Sequence, residues 1–61
     1  MGQREDIVTA AYLVLDAHGE AAEAYLARRI EAAEQRRDGR LVTGWLLVRE
    51  AVREITRSAA D

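Results

Sequence analysis

The sequence predicts an all-α protein, a compact bundle of three short helices over about residues 4–18, 20–37 and 39–57. Three observations carry this. There is no proline, and alanine, arginine, glutamate and leucine, all good helix formers, dominate the chain. Two breakers, His18-Gly19 and Asp38-Gly39, divide it. Between them, apolar residues recur at the spacing of three and four that buries one face of a helix.

The first helix starts near Gln3 or Arg4 and repeats apolar residues through Ile7, Ala11 and Val14 to His18, with Val8, Tyr12 and Leu15 widening the stripe. His18-Gly19 closes it, as a last-turn cation followed by glycine at the left-handed closing position. The second helix is the leanest. Its line is Ala22, Leu26, Ile30 and Ala33, with Tyr25 beside it and Glu23, Glu31, Glu34 and Gln35 turned to water. Arg36 and Arg37 suit its negative end, and Asp38 can cap the helix that follows.

The third helix has the strongest period, Leu41, Trp45, Val48, Val52 and Ile55, the spacing of a coiled-coil seam. A second line, Gly44, Leu47 and Ala51, lies on a neighbouring face. If the seam packs on the other two helices, Leu46 or Leu47 stays partly outside, and exposed apolar patches tend to be contacts. The expected partner interface is therefore Trp45, Leu46, Leu47, Val48 and Ala51, with Arg49, Arg53 and Arg57 as rim or anion contacts. Gly44 inside a helix costs about 1 kcal/mol relative to alanine, which points to a close helix crossing or a kink, or else to a later helix start capped by Thr43.

Sixty-one residues make one small helical domain, residues 1–61. Of its 30 hydrophobic residues 12 are alanine, so the core is thin and self-association is a natural way to add burial. Without cysteine there can be no disulfide framework, thiolate zinc site or cysteine nucleophile. The most hydrophobic stretch, residues 41–48 between Arg40 and Arg49, falls far short of the ~20 residues that span a bilayer. A cytoplasmic setting with no membrane contact is expected.

Chemistry is sparse. His18 is the only histidine; Asp16 faces another side of the helix and Glu20 lies beyond the break, so a helix-end role is expected rather than a metal site or general base. Ser58 is the only serine and lies far from His18 in sequence, which removes a nucleophilic triad. The glycines stand singly, so no phosphate-cradling loop is present. All nine basic residues are arginine. The row Arg49, Arg53, Arg57 could grip phosphates. However, Glu50 and Glu54 sit three residues before Arg53 and Arg57, and the net charge is −2, so a salt-bridged solvated face is favoured over nucleic-acid binding.

The chain resembles a family of short uncharacterised helical proteins of alphaproteobacteria, a domain of unknown function. The resemblance rests on Ala11, Leu13, His18-Gly19-Glu20 and Ala22, then Asp38, then Trp45, Val48, Ala51, Val52 and Ile55, and covers residues 7–56. Leu41 departs from it, since a small residue is favoured there. It implies a compact helical fold in a bacterial cytoplasm, and carries over no activity, substrate or catalytic residue.

The functional expectation is a non-enzymatic protein-interaction or regulatory module without cofactor or metal, self-associating through the third helix, most simply as a homodimer. The alternatives are a small nucleic-acid-binding regulator using the arginine rows and an accessory subunit bound to an unidentified protein partner.

Overall fold

Gly19 sets the course of the chain. In the computed structural model, which describes residues 2–60, helical conformation runs unbroken from Gln3 to Gln35 and resumes from Gly39 to Ala60. The first stretch joins α1 (Gln3–His18) to α2 (Ala22–Gln35) through one 3-10 turn, Gly19–Ala21; the second is α3 (Gly39–Ala60). The protein is all-α, but three separate helices at 4–18, 20–37 and 39–57 are corrected to two helical stretches, the first one jointed. The reason is local. The amide of Gly19 bonds the Leu15 carbonyl and that of Ala22 bonds the Gly19 carbonyl, so helical bonding tightens at the breaker instead of stopping.

The joint nevertheless turns the chain. A straight helix of 33 residues would be about 50 Å long, whereas the longest dimension of the molecule is 37 Å. Gly19 makes the bend with φ 52° and ψ −124°. Its φ is positive, but the ψ lies outside the left-handed helical well that a closing glycine usually takes, in a region that side chains oppose.

The second reversal uses residues 36–38. Arg36 and Arg37, expected in the last turn of the second helix, lie past its end at Gln35. The Arg37 amide bonds the Glu34 carbonyl at 3.0 Å and the Asp38 amide bonds the Ala33 carbonyl at 3.0 Å, the paired closing bonds of a Schellman motif. Arg37 holds the left-handed position at φ 56°, where glycine is usual. Asp38 then caps α3, its Oδ1 accepting from the Leu41 amide at 3.1 Å.

α3 is the element on which the others are assembled. Gln3 lies by Gly39, Arg40 and Thr43, while Tyr12 lies by Ile55 and Ser58, so α1 and α3 run in the same direction. Glu23 pairs with Arg53 and Arg29 lies over Trp45, so α2 runs against α3. α1 and α2 touch each other far less than either touches α3. The core cluster takes Ala11 and Val14 from α1, Ala22 and Leu26 from α2, and Val48 and Val52 from α3, with Leu26 fully buried. Ile30 and Ala33 are also buried on α2. No polar side chain is buried among the described residues.

Gly44 corrects another expectation. It lies inside α3, yet nothing comes within 4 Å of a methyl group placed on it, so neither a close crossing nor a later start at Thr43 explains it. It lines an open groove instead.

Three stability changes follow, measurable by urea or thermal unfolding. Gly19→Ala should lose roughly 1–3 kcal/mol, since alanine must enter a forbidden conformation. Arg37→Gly should gain about 0.5–1 kcal/mol by relieving a left-handed side chain. Gly44→Ala should gain about 1 kcal/mol of helix propensity with no clash; a loss there would show the glycine to lie against another surface.

Candidate functional site

The four residues Trp45 to Val48 do not form one surface. Successive helical residues are about 100° apart, so four in a row circle most of the helix. Val48 points into the core of its own chain, 6% exposed, and leaves a partner almost nothing to cover. Trp45 and Ala51 are half-buried against that core. Leu46 and Leu47, 38% and 43% exposed, leave on opposite flanks. Leu47 lines grooves with Ile7 and Val8 on the α1 side. Leu46 is two turns before Arg53, whose guanidinium reaches Glu23, and therefore lies on the α2 side.

Leu41, expected in the packed seam with Trp45, Val48, Val52 and Ile55, is exposed. With Ile7, Ala10, Gly44 and Trp45 it lines a groove of about 290 Å³ near the starts of α1 and α3, with Asp6 and Arg40 also on its walls. Further along, the α1–α3 seam carries a shallow groove shared by Val8, Leu47 and Ala51, which Glu54 links to another shared by Tyr12 and Ile55.

The arginine row is also rearranged. Arg53 reaches across to α2, its Nε 3.0 Å from Glu23 Oε1, and this is the only ion pair among the described residues. The expected pairings of Glu50 with Arg53 and of Glu54 with Arg57 are absent there; Arg53 is held instead by an acid on the facing helix. Both partners are about half exposed, which places such a bridge below about 1 kcal/mol. Arg49 is half-buried and its Nε has no hydrogen-bond partner. Arg57 is exposed at the last turns of α3.

Opposite the α1–α3 grooves, an aromatic cluster ties the three helical segments together. The ring of His18, at the end of α1, stacks on Tyr25 of α2 at 3.9 Å and 18°. Tyr25 meets Trp45 of α3 edge-on at 6.3 Å. The Arg29 guanidinium lies 5.5 Å from the Tyr25 ring and 5.9 Å from that of Trp45, and its Nε donates to the Tyr25 hydroxyl at 3.1 Å. His18 thus packs beneath the turn. The sequence reasoning missed Tyr25 and Arg29 as partners, although their spacing of four on one helix was the available signal.

No group of three or more metal-ligating side chains converges among the described residues, and no helix there is long and apolar enough to cross a membrane. The molecule's surface is generous for its mass. Its accessible area is 4864 Å², against about 3,950 Å² from the scaling for compact monomers of 6.8 kDa. The radius of gyration agrees, at 11.5 Å against about 10.5 Å for a compact chain of this length. Compared with protein-family models, with curated proteins and with solved structures, the chain matches none of them.

Two substitutions separate the contributions. Leu26→Ala should cost about 2–5 kcal/mol, a large share of what so small a domain has. Arg29→Ala should cost about 0.5–1 kcal/mol and shift the emission of Trp45, the single tryptophan. Unfolding curves followed by that fluorescence read both.

Proposed function

We propose that this chain is a non-enzymatic helical interaction or regulatory module that self-associates through α3. The observation that carries the reading is the large apolar surface left outside the core, with Leu41, Leu46 and Leu47 all exposed on one helix. Apolar area held in water by a folded chain is recovered by covering it.

Within this reading Leu47 and Ala51 supply contact area, with the half-buried Trp45 behind them. Arg49 and Arg57 serve the rim, where charge sets register more than affinity. The non-enzymatic part rests on composition: one histidine and no cysteine leave few groups for acid-base or nucleophilic work. A cytoplasmic setting and kinship with short alphaproteobacterial helical proteins are consistent with such a module and add no activity to it.

Sedimentation of the purified chain over a micromolar concentration series tests the reading. A weight-average mass that rises with concentration toward twice the 6.8 kDa chain is expected; a folded species that stays monomeric throughout removes it.

A further inference from the structure

Within the joint between α1 and α2, only Gly19 holds a conformation that demands glycine, φ 52° with ψ −124°. A methyl group placed on it meets nothing within 4 Å, so what opposes a side chain there is the backbone conformation and not a neighbour. Ala17, Ala21, Ala22 and Ala24, residues at ease in a continuous helix, stand close on either side. Helical bonding already runs through the joint, from the Gly19 amide to Leu15 and from the Ala22 amide to Gly19.

The buried stripe also keeps its phase across the bend. Ala11, Ala22 and Ala33 recur every eleven residues and are 0%, 2% and 2% exposed. Eleven residues make three turns plus about 20°, so in one straight helix the three would stand almost in line, with Val14 and Leu26 within about 60° of them. Straightening would keep the burial faces of α1 and α2 on one side while carrying α1, about 24 Å long, off the end of α2 and away from its own α3. α2 would stay with α3, to which it is joined by three residues. The face of α3 that Ala11 and Val14 cover would then be open.

We propose that Gly19 is a hinge between two states of this chain, the bent monomer and a dimer in which two straightened chains exchange α1. The contacts of α1 with α3 in that dimer are those the bent chain already makes, Ala11 and Val14 in one cluster with Val48 and Val52, so the partner that fits the opened face is α1 of a second copy. The directions agree as well. α1 runs with the α3 it covers and α2 runs against it, so two collinear segments serve two α3 helices pointing opposite ways, as a two-fold axis requires. The bent state is held by the glycine and by the stack of His18 on Tyr25, which a straight helix breaks by setting residues seven apart about 10 Å along its axis.

This exchange goes beyond association through the outer side of α3, and the test tells the two apart. The chain has no cysteine, so Arg4→Cys and Gln35→Cys, both at exposed positions, take a pair of spin labels. The doubly labelled chain, diluted into an excess of unlabelled chain, reports distances within one molecule only. In the bent chain the two positions lie within its longest dimension of 37 Å. In a straight helix they are about 46 Å apart. Gly19→Ala penalises the bent state alone, so it should associate at least about tenfold more tightly than the unaltered chain in sedimentation equilibrium and show the long distance. A folded Gly19→Ala that stays monomeric overturns the hinge. So does a dimer that keeps the short distance, which is association through the outer side of α3. If Gly19→Ala loses its helical content, the labelled chain with Gly19 intact is unfolded and refolded at millimolar concentration with excess unlabelled chain. A dimer with the long distance then supports the exchange, and the short distance alone overturns it.

Discussion

The whole arrangement depends on one residue without a side chain bending a helical stretch that otherwise runs unbroken from Gln3 to Gln35. At Gly19 a positive φ combines with an extended, negative ψ, a pairing that a Cβ atom opposes. Because hydrogen bonding continues through the 3-10 turn, no loop absorbs the change of direction, and the angle between α1 and α2 is set within a few residues, by Gly19 together with His18 at φ −120° and Ala21 at φ −87° and ψ 6°. His18, stacked on Tyr25 across that joint, props the same corner from the side-chain level. Everything α3 meets has already been placed by this bend.

α3 in turn holds the structure together. Since α1 and α2 touch each other far less than either touches α3, they are related largely through Val48 and Val52, which share the core cluster with Leu26 and Val14. Three of the eight buried residues are alanine, which allows close approach and little burial. The same economy that makes a core possible in so short a chain leaves the outer side of the α1–α3 seam apolar and uncovered. Thin core and exposed strip are two consequences of one composition.

Much of this was legible in the sequence. Both breakers were visible, and Asp38 caps α3 because a short carboxylate before a helix finds an unpaired amide three residues on. Val48 and Val52 lie at the centre of the seam because a 3.5-residue period can face only one way. What was not legible depended on where neighbouring elements lie. Glu23 takes Arg53 from Glu50 only because α2 runs antiparallel alongside. Gly44 faces open space in a groove that residues of α1 and α3 line together. The expected interface is spread around α3 for a simpler reason: Trp45 to Val48 are neighbours in sequence, and on a helix neighbours look in different directions. Leu46 and Leu47, neighbours in the linear pattern, stand about 100° apart on the helix, one toward α2 and the other toward α1.

The short reversal at residues 36–38 also bears on the order of events in folding. α2 and α3 are joined by three residues, so their pairing closes a very small loop, whereas α1 reaches α3 only across the whole of α2. The entropy of closure is smaller for the first pairing than for the second. The antiparallel α2–α3 hairpin is thus the natural nucleus, with α1 arriving last onto a surface already formed. A chain so rich in near-neighbour contacts belongs among the fast folders, in the microsecond to millisecond range typical of low contact order. The element that docks last also carries Arg4, Val8 and Tyr12, so the completed α1–α3 strip exists only after that docking and is the final surface the fold produces.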